Sequence, residues 1–417
     1  MINLFNYLLV SNFFTSGFVL FTKPFEFYVG YIFMLLFLAM YIFSFGRLEI
    51  NKMFILILTL ATLLSLLNIF WGNDSCFLFL KQFGGFLFNG VVYYLLIRIN
   101  KNDIDKLFRV YLKIAFIVAI IGIFQEFSYL IGFKYGYDFS YFMSKISNFM
   151  GTEFGMIRVS SILPEPAHFG TVMAPAIFVS VLNIVKRENN FISRKASILI
   201  IISVLLSFSL VSYLGIVVAS FLIVFNYRKI MFIVVCTSAL FAFISSAYLF
   251  MPTIRMRVDD TVSIVTGRMP LDKTNNTTFV LCNNAIIAYK SFLHNPLFGS
   301  GLGSHPMSYD HYISQAIDPR KYIIGQDSKD ASSLFVRLLS ETGLMGVVSF
   351  FYFIVKFYVS KKRDVHFWII SNSIICLFIL YLVRQGNYFY CGFIFFIWAY
   401  FFTAKSAVKL INSDIKK

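Results

Sequence analysis

The residues best placed to do chemistry lie in Arg158-Val-Ser-Ser-Ile-Leu-Pro164-Glu165-Pro166-Ala-His168-Phe-Gly170. Pro166 disfavours helical backbone in the residue before it, yet it can open a helix at its first position. Glu165 is therefore expected at or just before a helix N-terminus, with His168 about one turn further on. A carboxylate held there can accept a proton from a sugar hydroxyl or stabilise a cationic sugar carbon. The plainer role is a helix cap beside an interfacial histidine.

Arginines form the second set: Arg158, Arg255, Arg257, Arg268, Arg320, Arg337 and Arg384. Guanidinium forks match phosphate oxygens bidentately, so they suit a diphosphate. The plainer role is contact with lipid head groups. Arg337 and Arg384 each stand at the mouth of an apolar run, where charge is costly unless partnered or used. Glu341 lies one turn beyond Arg337 and could pair with it. Lys81 lies inside an apolar run and either joins the same cavity or snorkels.

Two further runs are polar and glycine-rich. The first is His294-Asn-Pro-Leu-Phe-Gly299-Ser-Gly301-Leu-Gly303-Ser304, followed by His305. No strand of a βαβ unit precedes it, so it is not a dinucleotide fingerprint. Its glycines let backbone amides approach a ligand, or let the loop pack tightly on helix mouths. The second leads from Asp327 and Asp330 through Arg337 and Glu341 to Gly343 and Gly346. The pair Asp259-Asp260 lacks further ligands at regular spacing, so no metal site is expected. No cofactor motif is present either. The five cysteines show no metal spacing, although Cys76 and Cys282 could pair.

What must position these groups is a set of membrane-crossing helices. Hydrophobic residues make up 59% of the 417 and charged residues 13%, well away from a soluble domain. The apolar runs are roughly 18–25 residues long, enough to cross about 30 Å of hydrocarbon. Twelve spans are expected, at about 3–21, 26–45, 52–71, 79–97, 107–131, 165–185, 196–210, 212–227, 230–250, 338–359, 366–383 and 389–404. The chain then divides into helices 1–5 (1–131), a long loop (132–164), helices 6–9 (165–250), a larger loop (251–337) and helices 10–12 with a basic tail (338–417). Within the larger loop a helix is expected at about 283–294, lying against the membrane surface, with Ala285, Ile286, Tyr289 and Leu293 on one face.

A net charge of +16 would point to nucleic acid in a soluble protein. Here most of it follows the positive-inside pattern. Arg47, Lys52, Arg98, Lys101, Lys106, Arg109, Lys186, Arg187, Arg194, Lys195, Arg228, Lys229, Lys361, Lys362, Arg363 and the C-terminal lysines share one side. The short turns of the other side hold only Lys23 and Arg384. Both termini are thus expected inside, and both long loops outside. The first run, from Leu4 to Phe21, lacks a basic start and a small-residue cleavage site, so it reads as a retained span.

Together these pieces resemble the bacterial O-antigen polymerase and ligase superfamily of polytopic glycosyltransferases. The resemblance rests on Arg158…Pro-Glu165-Pro…Gly170, on the His294–Gly303 run, on Leu338-Leu-Ser-Glu-Thr-Gly-Leu-Met-Gly346 and on Arg384-Gln-Gly-Asn-Tyr388. It implies an all-α, GT-C-like bundle with a large periplasmic loop in a bacterial inner membrane. It also implies glycosyl transfer between polyprenyl-diphosphate-linked oligosaccharides, with Glu165, His168 and Arg158 at the chemistry. Arg158, Arg337, Arg384 and Lys81 would hold the diphosphate. His294, Gly299, Gly301, His305 and Asp330 are the loop candidates.

Within the superfamily the chain looks more like a polymerase. Ligases carry a His-Asn pair where this chain has Asp330-Ala-Ser-Ser-Leu-Phe, and Ser-Arg where it has Ser209-Leu-Val-Ser212. The implied partners are the lipid-linked substrate, membrane lipids and a chain-length regulator, with no nucleic acid. A ligase, a flippase-like transporter and a non-catalytic scaffold are the alternatives. A transporter would be expected to show internal repeats and charge at the membrane centre, and neither is evident.

Overall fold

A computed structural model describes residues 2–23, 26–143, 145, 151–227, 245–246, 248–316 and 325–414. Among the described residues helix accounts for 72% and the sheet is two short antiparallel hairpins, so the fold is all-α. The helices run α1 (Ile2–Ser11), α2 (Val29–Phe45), α3 (Lys52–Phe70), α4 (Cys76–Ile99) and α5 (Ile104–Leu130). A single turn, α6 (Lys134–Tyr137), precedes α7 (Pro166–Lys186), α8 (Arg194–Leu205) and α9 (Leu210–Tyr227). The polar region holds α10 (Pro252–Val265), α11 (Asn276–His294) and α12 (His305–Ala316). The chain closes with α13 (Leu334–Lys356), α14 (Val365–Arg384) and α15 (Phe393–Asp414).

Among the described residues, seven helices are long and apolar enough to cross a membrane: α3, α4, α5, α7, α9, α13 and α14. The protein is a multi-pass membrane protein. Its centre is α7, packed against α8, α9 and α14. Small residues allow that closeness. A Cβ on Gly170 would stand 2.4 Å from the Ser212 hydroxyl, so α7 and α9 touch backbone to backbone there. By contrast α3 and α13 are peripheral, with most of their apolar side chains facing outward.

The first expected span, 3–21, is corrected. Helix α1 ends at Ser11, and Val19–Phe21 instead pairs with Phe27–Tyr28 in a hairpin. Asn12, Thr15, Ser16 and Gly17 supply turn chemistry, and the Asn12 amide donates to the Gly30 carbonyl at 3.0 Å. The expected span 230–250 falls almost wholly outside the described residues, as do Arg228, Lys229, Cys236, Arg320, Lys416 and Lys417.

The short pair at 196–210 and 212–227 is two helices. Ser197 at the start of α8 meets Asn183 at the end of α7, 3.1 Å apart. The turn after α8 accepts a bond from Val159 at Leu206, close to the start of α7. Asn226 at the end of α9 accepts from Trp368 at the start of α14. So α8 and α9 run antiparallel, and their turn lies at the Glu165 end. The hydrogen bond between Asn6 and Asn100 and the ion pair between Arg98 and Glu49 belong to the opposite end, where the basic residues gather.

The polar region is more ordered than the single expected helix. Helix α11 begins at Asn276 rather than near 283, because Asn275 caps it: its side chain accepts from the Thr278 amide at 3.0 Å. Asp260 in turn holds the Asn275 side chain at 2.7 Å. Ile286, Tyr289 and Leu293 stand exposed, while Ile287 and Ala288 on the other face are buried. Cys76 and Cys282 are unpaired thiols.

The glycine-rich run is a clasp. Helix α13 breaks at Gly343, where φ is 59° and ψ is −154°. Loop 296–301 fits that break through main-chain bonds. Ser300 and Gly301 donate to the Ser340 and Glu341 carbonyls at 3.0 Å, and Leu344 and Met345 donate to Pro296 and Leu297 at 2.9 and 3.0 Å. A Cβ on Gly299 would lie 2.4 Å from the Glu341 carbonyl carbon, so only glycine fits. The far side of the loop reaches α3, where Leu302 donates to the Ser65 hydroxyl at 2.9 Å.

Candidate active site

Glu165 is the residue before α7, in extended backbone, with Pro166 as the first helical residue. Its side chain makes no capping bond to the helix and is exposed. The Nδ1 atom of His168 is buried without a hydrogen-bond partner among the described residues. The His168 ring meets Tyr390 edge-on at 5.6 Å.

Both side chains line a cavity of about 320 Å³, together with Lys145, Asp327, Asp330 and Arg384. Arg384 ends α14 and reaches Asp327 and the Ser332 carbonyl, each at 3.4 Å. It stays partly exposed toward the cavity. Burial, then the neighbouring Asp327, pushes the Asp330 carboxyl up to about 6. The cavity therefore presents an uncapped carboxylate, an imidazole and a cation together.

A second cavity of about 720 Å³ adjoins it and shares Lys145, Asp327, Asp330 and Tyr390 as lining. Its other walls are mixed. Lys81, Lys329 and Glu26 give charge; Leu35, Leu80 and Phe88 give apolar surface between α2 and α4. Leu35 and Leu80 are exposed, so the cavity opens sideways between those two helices.

The candidates named from sequence divide three ways. Glu165, His168, Arg384 and Asp330 meet in the smaller cavity, and Lys81 and Asp330 line the larger one. Arg158 lies near Arg257: burial, Arg158 and Arg384 all lower the Arg257 guanidinium. The Nε of Arg158 has no hydrogen-bond partner among the described residues. Arg337 is turned away into a buried ion pair with Glu341 at 2.8 Å. Gly299 and Gly301 serve the clasp. His294 stacks on Tyr312 at 5.8 Å. His305 is fully buried beside Asn284, and burial depresses its imidazole to about 3, a neutral core histidine.

Arg255 pairs loosely with Asp259 on its own helix, and Arg268 is exposed. Asp259 accepts from Tyr248 while Asp260 holds Asn275, so the acidic pair diverges. No trio of His, Cys, Asp or Glu among the described residues is placed to hold a metal ion. Sequence reasoning missed Lys145, Glu26, Tyr28 and Tyr390. Lys145 bonds Glu26 at 2.7 Å and Tyr28 at 3.0 Å, and it also contacts the Tyr390 hydroxyl. These residues carry no local motif; only the fold brings them together.

The described residues thus form a membrane-embedded helical bundle with a polar, cation-bearing cavity at one end. Residues 196–351 match the family model described as O-antigen ligase. That match places residues 196–351 in the O-antigen polymerase and ligase superfamily. Among curated proteins, none matches it.

Proposed function

We propose that the protein polymerises polyprenyl-diphosphate-linked oligosaccharide repeat units into a surface polysaccharide, O-antigen or capsule, at the periplasmic face of a bacterial inner membrane. The observation that carries this reading is the exposed Glu165 carboxylate. It has no capping bond, and it faces one cavity with His168 and Arg384. That cavity joins another whose apolar mouth suits a lipid. In this reading the chain is a GT-C-like bundle of about twelve crossings with both termini cytoplasmic.

The reaction needs no external oxidant or metal to balance. The acceptor hydroxyl oxygen bonds the anomeric carbon of the donor glycan. The bond from that carbon to the diphosphate oxygen breaks, and polyprenyl diphosphate leaves with the electron pair. Glu165 takes the hydroxyl proton, with His168 orienting the acceptor. Arg384 and Arg158 offset the charge that grows on the diphosphate. Arg337 acts indirectly, by fixing the turn that carries Arg384.

The ligase reading has one observation in its favour, the description of the matched family model. It would transfer finished glycan to a lipid A core. A gene deletion separates the two. A lost polymerase leaves single repeat units attached to the lipid core, whereas a lost ligase leaves none attached.

A further inference from the structure

Lys145 joins the two cavities. Four residues line both, and Lys145 is the one cation among them. A carrier with its tail in the larger cavity and its sugar in the smaller must pass its diphosphate between those four. The Lys145 ammonium already sits in a ring of acceptors: Glu26 at 2.7 Å, the Tyr28 hydroxyl at 3.0 Å and the Tyr390 hydroxyl. Tyr390 also donates to Glu26 at 3.0 Å. Glu26 and Tyr28 belong to the hairpin before α2, and Tyr390 to the turn between α14 and α15.

We propose that Lys145 binds the diphosphate of the carrier lipid, exchanging its Glu26 partner for the ligand when the donor enters. This rests on the glycosyl-transfer reading above. The pair is open enough to exchange: the Lys145 and Glu26 side chains are 27% and 38% exposed. An ion pair so exposed to solvent is only weakly held. A diphosphate brings more charge than one carboxylate and can displace it. Lysine suits the task, because its three donors rotate and need no fixed fork. Arg337 cannot serve in this way while it is buried against Glu341. The two tyrosines hold the ammonium at the junction during the exchange.

The test is binding of undecaprenyl diphosphate, with neutral undecaprenol as control, to the full chain in lipid nanodiscs. Wild-type protein should prefer the diphosphate. Lys145→Met should weaken diphosphate binding about tenfold and leave undecaprenol unchanged. Glu26→Gln should strengthen diphosphate binding a few-fold, because it frees the ammonium. A purely structural tie predicts the same direction for both variants, so weakening by Glu26→Gln overturns the proposal. If Lys145→Met does not assemble, the sign of the Glu26→Gln effect alone decides. If wild type shows no preference for the diphosphate over undecaprenol, the glycosyl-transfer reading itself fails.

Discussion

Arg337 and Glu341, four residues apart on α13, bond each other at 2.8 Å and leave neither group free for a ligand. The same guanidinium donates to the Gly386 carbonyl at 2.9 Å and lies 4.2 Å from the centre of the Tyr388 ring. Tyr388 closes the set by donating to Glu341 at 3.0 Å. The pair therefore bolts the turn after α14 to α13 and so sets where Arg384 points. Glu341→Ala leaves a buried unpaired arginine and should cost about 3–5 kcal/mol. Thermal unfolding in detergent measures this. The double change Arg337→Met with Glu341→Leu should recover most of the loss. A folded Glu341→Ala protein with unchanged melting temperature would mean that the pair is not structural.

The clasp makes its own demand. Gly343 has positive φ, and a Cβ there would lie 2.7 Å from the Gly299 nitrogen. Gly343→Ala should cost at least about 2 kcal/mol through backbone strain and a displaced loop. Gly84→Ala in α4 makes a useful contrast, since nothing lies within 4 Å of a Cβ there. Limited proteolysis of the 296–305 segment should accelerate in the first variant and change little in the second.

Asp74 predicts a pH dependence of stability. Its Oδ2 is buried beside Gly301 without a partner among the described residues. Burial, opposed by the Ser75 amide, pushes its carboxyl up to about 7. The folded state thus holds this proton more tightly than the unfolded chain, whose aspartate titrates near about 3.9. The stabilisation is complete below that value and is lost as pH rises to about 7 and beyond. Melting temperature should therefore fall between pH 5 and 8 by this contribution. Asp74→Asn should flatten the fall and be the more stable protein at pH 8.

Much of the frame was legible because it rests on local pattern. Long apolar runs gave the seven membrane-long helices, and Pro166 after Glu165 gave the start of α7. The break at Gly343 was not legible. Its glycine pair reads equally well as a helix-packing face, and only the loop that enters the break distinguishes the two. Helix α11 could have been started correctly from Asn275, a capping residue three before Thr278. Lys145 could not have been found: its partners lie 119 and 245 residues away and share no motif. Arg337 looked like a ligand group because a cation at a helix mouth has two explanations, and sequence spacing alone does not choose between them.

Arg384 should matter in a different way from Arg337. It remains partly exposed to the cavity, so Arg384→Ala should leave the melting temperature nearly unchanged while lowering transfer. A drop of about 10²–10³-fold in kcat fits loss of one charge-stabilising group. Arg384→Lys should recover part of the rate. Steady-state assays with purified variants separate this from a folding defect.

In the proposed reaction the Glu165 carboxylate is the base for glycosyl transfer. The direct measurement is product length made by purified protein in nanodiscs, supplied with lipid-linked repeat units extracted from a strain that lacks the gene. Wild type should convert single units into long polymer, and Glu165→Gln, folded and able to bind lipid, should be slower by about 10²–10⁴-fold. Polymer made by Glu165→Gln at the wild-type rate would contradict it.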